Sequence, residues 1–422
     1  MFSFLYAKKH KGLFIVRSED TDKARSTKEF EAALLAGIDW LGIKKDNAEV
    51  WRQSERTEIY KKYLHRLIDE GKAYISQETE GENKEVVRFK NPNKRVEFDD
   101  LIRGIISVDT TDLGDFIIAR NINDPVYHMA VVVDDFEAGV THVIRGEDHI
   151  SNTPRHILIQ EAIGAPRPVY AHLPLIVAAD HSKLSKRKHG ESVSLDYYKS
   201  LGFLPAGIVN YLALLGWNPG TEQEIFTLDE LKEAFAIEQV QKHAAIFDIV
   251  KLRWVNREHL LRLSNDEFKI LVMDFISPEL GGFLDTERGA LFLPVMRERA
   301  STFGDIHDAE AAGEYAYFIK PPTYEAAKLS WKGTEPAEAT RARLEAVQAL
   351  LEPLSASQWA SESVKNAIWP YAEAEGRGQV LWPLRMALSG RDKSPDPFQI
   401  AGIIGRDETL ARISTAVSLL RS

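Results

Sequence analysis

The 422-residue chain contains no cysteine, which excludes disulfides and every metal site built on thiolates. No apolar run approaches the roughly 18 residues that a membrane span needs, and no secretory or transit signature is visible at Met1-Phe2-Ser3-Phe4. The cytoplasm is therefore the expected compartment, with no membrane partner. The sequence also lacks a Gly-x-Ser-x-Gly elbow, a Walker loop and any histidine pair at helical metal-ligand spacing, so serine-nucleophile and zinc chemistry have no support. Repeats and low-complexity tracts are absent. A net charge of −10 argues against indiscriminate nucleic-acid affinity, although local basic surfaces suffice for phosphate contacts.

What is present begins with Lys183-Leu184-Ser185-Lys186-Arg187-Lys188, four cations in six residues with one hydroxyl and no acid among them. The apolar run from Tyr170 to Ala178 reads as a strand leading into it through the turn Asp180-His181-Ser182. A basic loop at the C-terminal end of a strand suits phosphate binding in an open α/β sheet.

Three further clusters carry acids or arginine. Arg17-Ser18-Glu19-Asp20-Thr21-Asp22 closes the expected buried strand Leu13-Phe14-Ile15-Val16. These acids can hold an ammonium group, orient one another or cap the helix that starts near Ser26. Asp134-Asp135 follows Ala130-Val131-Val132-Val133, which reads as a core strand; the pair invites the same readings with a metal site as a third, although two adjacent acids are also common turn residues and by themselves carry little evidence for metal. Arg145-Gly146-Glu147-Asp148-His149 lies beyond the strand Val140 to Ile144. Arg145 suits bidentate pairing with a ligand carboxylate, or a structural bridge to Glu147 or Asp148. His128 and His149, taken singly, read as packed or solvent-bonded.

Periodicity divides the chain near residue 190, with mixed α/β before and helices after. Helices are expected from Phe2 to a Gly12 cap, over residues 26 to 37 and 55 to 70, and from a Ser151 cap to Gly164. At this length the chain has room for roughly two to four domains.

The ordered series Arg17-Ser-Glu-Asp-Thr-Asp, Val133-Asp134-Asp135, Val143-Ile144-Arg145-Gly146-Glu147-Asp148-His149, Asn152-Thr153-Pro154-Arg155 and Lys183-Leu-Ser-Lys-Arg resembles the class I glutamyl-tRNA synthetases. The loop at 183 looks like that family's KMSKS signature. The resemblance continues through Phe247-Asp248, Lys251 to Asn256 and Trp382 to Arg391, and covers essentially the whole chain.

The resemblance implies a Rossmann-like α/β catalytic domain (1–74 and 128–190), an inserted acceptor-end-binding domain (75–127), a stem-contact helical domain (191–260) and a helical anticodon-binding domain (261–422). It implies ATP-dependent glutamylation of tRNA(Glu) through glutamyl-adenylate, with ATP and Mg2+ required and a monomer the usual state. Lys183 and Lys186 take the catalytic phosphate role; Ile176, Lys183, Leu184, Ser185, Lys186 and Arg187 bind ATP. Glu19, Tyr127, Arg145, Gly146, Glu147, Asp148 and His149 form the glutamate pocket, Glu19 at the α-ammonium group. Arg25, Arg377, Arg385 and Arg391 are implied tRNA contacts, though arginines such as the last three also read as solvated surface residues. Trp382 and Leu384 read as core.

Two departures qualify the resemblance. Family members open with a strand, a Pro- and Gly-containing turn and the HIGH signature, which this sequence does not show; its first helix matches the one that follows the signature. A start codon called too late, or a fragment, is the expected explanation, and an inactive tRNA-binding protein that has lost ATP chemistry is the other. Separately, a non-discriminating enzyme that also glutamylates tRNA(Gln) is an alternative set by anticodon contacts. The segment Ile75 to Glu85, where the family often carries zinc-binding cysteines, is short, polar and cysteine-free, so zinc is not expected.

Overall fold

The computed structural model describes residues 1–21, 26–78, 85–333 and 335–421, with only the backbone of Lys186 and Arg187. The chain divides into two compact units, residues 1–199 with 204–259, and residues 200–203 with 260–422.

In the first unit the helix Phe2–Lys9 buries Phe4 and Leu5 and closes when the Gly12 N–H reaches the Ala7 carbonyl at 2.8 Å. The buried strand expected at 13–16 does not form. Only Arg17–Ser18 pairs, in parallel with Trp51–Arg52, and Leu13 is 75% exposed. Side chains stand in for a ladder on one side, because Asp46 accepts the Phe14 N–H at 2.6 Å and Asn47 bonds both polar groups of Val16, at 3.0 and 2.9 Å.

The core sheet is centred on Val169–Leu173, which pairs in parallel with His142–Gly146 over five residues, Val169 opposite His142 through Leu173 opposite Gly146. The expected strand from Tyr170 to Ala178 breaks at Pro174, and its second part, Ile176–Val177, pairs in parallel with Ala245–Ile246 instead. On the other side of Val169–Leu173, Tyr170 meets Asp100, the last residue of Arg95–Asp100, which forms a hairpin with Gly104–Asp109. A separate antiparallel sheet takes Ala73–Gln77, Glu85–Phe89, Phe116–Asn121 and Asp124–Pro125 in that order.

Residues 130–133, expected as a strand, lie in the helix Tyr127–Glu137. Met129 through Asp134 are all buried there, between Thr57–Asp69 and Thr153–Ile163. A helix buried on every side has no polar face, so its sequence shows an apolar run instead of a 3.6-residue period. The helix expected at 26–37 is Lys28–Trp40, capped by Thr27 and running through Gly37. Asn152, and not Ser151, precedes Thr153–Ile163, which ends at a left-handed Gly164.

The second unit is helical. Its longest members include Glu287–Arg299, Ala337–Leu351, Ser361–Glu375, Arg377–Ser389 and Arg406–Leu419. Arg377–Ser389 is central, with Val380, Leu384 and Met386 to Leu388 buried. Trp382 is only half-buried, its indole N–H on the Lys328 carbonyl at 3.0 Å. Arg412 ties three elements together, donating to the carbonyls of Tyr317 and Leu388 at 2.7 and 2.6 Å and to Glu408 at 2.8 Å.

Candidate active site

The strands His142–Gly146 and Val169–Leu173 run in parallel, so the loops at their C-terminal ends share one rim of the sheet, where open α/β sheets bind ligands. The first strand ends at Arg145-Gly146 and turns through Glu147–Asn152 into the helix Thr153–Ile163. The Asp148 carboxylate packs against the turn's glycine so closely that a Cβ on Gly146 would lie 2.6 Å from Asp148 Oδ1 and displace it.

Glu19, Tyr127, Arg145 and His149, with Arg17 and Asp135, line one cavity of about 890 Å³. Arg17 orders the acidic side of it, donating to Glu19 at 2.9 Å and to Asp135 at 2.8 Å. Burial works against the Arg17 charge, but Asp135 and Glu19 outweigh it and raise its pKa. Burial also pushes the Asp135 carboxyl up. Asp134 points away from the cavity and is fully buried, accepting from Arg56 at 2.8 Å, Tyr60 at 2.8 Å and Gln53 at 3.1 Å. Both members of the Asp134-Asp135 pair thus serve arginines from a helix, and neither lies in the turn the sequence suggested.

Arg145 makes no bridge to Glu147 or Asp148. Its guanidinium donates to Thr153 Oγ1 at 2.8 Å, the His149 carbonyl at 3.4 Å, His172 Nε2 at 3.3 Å and His156 Nδ1 at 3.2 Å. Tyr127 packs beside it with ring centroids 6.1 Å from His149 and 5.6 Å from His156. Burial, then the Glu19 charge, pushes the Tyr127 hydroxyl up, leaving a neutral donor facing the cavity. Glu147 is committed to the protein, accepting from Leu175 N–H at 3.0 Å and pairing with Arg103 at 2.7 Å. It, Gly146 and Asp148 shape the loop and do not line the cavity.

The basic loop is tied to the same rim. Leu184 N–H bonds the Ile176 carbonyl at 3.3 Å, Val177 bridges Lys183, and Ser185 opens the single turn Lys186–His189. Two of the four cations the sequence left without acids have them: Lys183 pairs with Asp148 at 2.7 Å and Lys188 with Asp180 at 2.5 Å. Lys183 holds the Asp148 carboxyl below its ordinary value. Asp180 sits in the preceding turn, where it also accepts from Ser182, and Asp148 comes from the neighbouring rim loop, so sequence adjacency revealed neither pair. Ile176 offers apolar surface next to Leu184, 38% exposed.

Among the arginines of the helical unit, Arg391 lines a cavity of about 730 Å³ with Lys320, Lys328 and Lys393. The turn carrying it needs Gly390, which has φ 65° and would place a Cβ 2.9 Å from Pro322. Arg385 instead braces the Ser394 carbonyl at 2.8 Å, and Arg377 pairs with Glu373 at 2.7 Å over the Trp369 ring. Arg25 lies outside the described residues. Sequence reasoning gave no site role to Asp100, Thr153, His156 or His172, although Thr153 stands inside a quoted motif and His172 inside the run from Tyr170 to Ala178; nothing in one sequence reveals that three of them meet Arg145.

A sheet with both loops at one rim, followed by a helical unit, is the architecture of a class I tRNA synthetase. Residues 1–83 and 75–254 match the family model "tRNA synthetases class I (E and Q), catalytic domain", and residues 231–417 match "Anticodon binding domain". The glutamate–tRNA ligase of Desulforamulus reducens is 35% identical, covering 99% of this chain and 95% of its own; that of Nitratidesulfovibrio vulgaris is 36% identical at the same coverage. The crystal structure of a glutamate tRNA ligase from Elizabethkingia meningosepticum in complex with its amino acid superposes with a TM-score of 0.82 at 30% identity, over 99% of this chain and 95% of that one. The chain belongs to the glutamate–tRNA ligase family of class I synthetases.

Proposed function

We propose that this protein ligates L-glutamate to the 3′ end of tRNA(Glu) at the expense of ATP. The observation that carries the reading is the convergence of Glu19, Tyr127, Arg145 and His149 on one cavity, with the loop at 183 bonded to the same rim through Lys183 and Asp148. Glu19 accepts the α-ammonium group, while Arg145 and the Tyr127 hydroxyl face an anionic group of the substrate. Gly146, Glu147, Asp148 and His149 hold the pocket's loop in shape. Ile176 and Leu184 offer an apolar edge to adenine, and Ser185 with Arg187 belongs to the phosphate loop.

Glutamate's α-carboxylate attacks the α-phosphorus of ATP, forming the mixed anhydride and releasing pyrophosphate; a terminal ribose hydroxyl then displaces AMP. Charge accumulates on phosphate oxygens in the first step, so cations placed in advance do more than a protein nucleophile would. Lys183 and Lys186 supply them. Lys183 leaves Asp148 for the phosphates when ATP arrives. Magnesium enters as part of the nucleotide substrate, carried on its phosphates.

The functional domains on this reading are 1–74 with 128–190 for catalysis, 75–127 for the acceptor end, 191–260 for the stem and 261–422 for the anticodon, with Arg25, Arg377, Arg385 and Arg391 toward tRNA. The cavity at Arg391 suits a splayed base or its phosphate. The enzyme acts as a cytoplasmic monomer. Lys186→Ala should lower glutamate-dependent pyrophosphate exchange by about 10²-fold or more while the Kd for tRNA stays within about twofold. Equal loss of both would refute the phosphate role. The same charging assay with tRNA(Gln) determines whether the enzyme discriminates between the two tRNAs.

A further inference from the structure

The Arg145 guanidinium touches no carboxylate, yet one stands a single imidazole away. Asp100, 1% exposed, ends the strand Arg95–Asp100, and His172, fully buried, lies on the central strand of the same sheet. The Asp100 carboxylate accepts from Ile102 N–H at 3.0 Å, Arg103 N–H at 2.9 Å, His172 N–H at 3.0 Å and His172 Nδ1 at 2.6 Å. Burial opposes its ionisation, but the imidazole and the three backbone donors offset that and hold the carboxyl below its ordinary value.

An ionised carboxylate only accepts, so the His172 proton sits on Nδ1. Arginine only donates, so Nε2 must present its lone pair to Arg145 Nε, 3.3 Å away, and to Thr153 Oγ1, 3.1 Å away. The imidazole is therefore neutral and fixed in one tautomer. The same logic runs along the other side of the guanidinium. His156 Nδ1 accepts from Arg145, so His156 Nε2 donates to His128 Nδ1 at 3.0 Å. Burial first, and the nearby arginines second, lower both pKa values, that of His128 to about 4, so neither imidazole is charged near neutrality.

We propose that Asp100 and His172 are positioning residues for Arg145: the carboxylate locks the imidazole tautomer, and the imidazole aims the guanidinium while leaving its charge free for the substrate. A carboxylate bonded directly to Arg145 would compensate that charge and weaken the preference for an anionic ligand over a neutral amide. A neutral acceptor orients it without compensation, and Asp100 acts only through the ring. This inference rests on the reading that Arg145 faces the bound glutamate.

Asp100→Asn tests it with the shape preserved. The new amide can donate to Nδ1 and so drives the ring proton to Nε2, where it opposes the Arg145 Nε–H. In the full-length protein the Kd for L-glutamate, measured by calorimetry, should rise at least about 10-fold, with the Kd for ATP unchanged. His172→Gln presents a carbonyl that accepts from Arg145 without a tautomer, so adding Asp100→Asn in that background should cost glutamate binding no further loss. A loss of the same size in both backgrounds, or an equal loss of ATP affinity, would mark Asp100 as merely structural and overturn the proposal. Arg145→Lys separates the two readings: if it leaves glutamate affinity unchanged, or if the wild type binds no glutamate, the pocket assignment fails. If it weakens binding and Asp100→Asn does not, only the positioning chain fails. Nitrogen NMR of labelled histidine in the wild type needs no folded variant. It should find the His172 proton on Nδ1, and a proton on Nε2 would contradict the proposal.

Discussion

Asp134 shows at the scale of one residue how the site is held from behind. Its carboxylate is fully buried and accepts from Arg56, Tyr60 and Gln53, with Arg17 Nε at 3.8 Å. Removing one partner of a buried ion pair strands the other charge, which costs about 3–5 kcal/mol. Asp134→Ala should therefore lose about that much in urea unfolding and shift Arg17, hence Glu19, in the cavity wall. A loss under about 1 kcal/mol would mean that water replaces the carboxylate. The exposed Lys183–Asp148 pair belongs to the opposite regime, where an ion pair contributes about 0–1 kcal/mol and is cheap to break for a ligand. His128 gives a pH signature. Its folded pKa, about 4, lies below the unfolded value near 6.5, so the unfolded chain binds the extra proton and stability falls as pH drops from about 6.5 to 4. The full shift corresponds to about 3 kcal/mol, which solvent screening of this half-buried ring reduces to on the order of 1–2 kcal/mol. The urea midpoint should decline over that range, and His128→Gln should flatten the decline; an equal decline in the variant would assign it to other groups.

Elements explain what the sequence could and could not reveal. The loops were legible because their residue types are chemically unusual: four cations without an adjacent acid, or an arginine with two acids and a histidine at a strand end. The helix Tyr127–Glu137 was not, since burial on all sides erased its period and Ala130 to Val133 passed for a strand. Leu13 to Val16 misled in the opposite direction, as β-type residues whose polar groups are met by Asp46 and Asn47. The chain of Asp100, His172 and Arg145 was invisible because its members lie 72 and 27 residues apart and meet only through the pairing of three strands. At the junction of strand and turn, Gly146→Ala would push a methyl group to 2.6 Å from Asp148 Oδ1. The expected outcome is displacement of Asp148 from Lys183 and a several-fold higher KM for ATP in pyrophosphate exchange; an unchanged KM would show that the turn yields without disturbing the loop.

At the scale of the whole molecule, the first unit carries the candidate chemistry and the second carries basic surface around Lys320, Lys328, Arg391 and Lys393. Neither alone does what the account requires, since an adenylate without tRNA goes no further and a bound tRNA without adenylate stays uncharged. The most direct measurement is therefore charging by the intact 422-residue chain, with labelled L-glutamate, ATP and tRNA(Glu), read together with tRNA binding. The account predicts glutamylated tRNA formed at one AMP per ester, dependent on ATP and lowered about 10²-fold or more by Lys186→Ala. Tight tRNA binding with no charging at saturating glutamate and ATP would contradict it and identify a tRNA-binding protein that does not catalyse ligation.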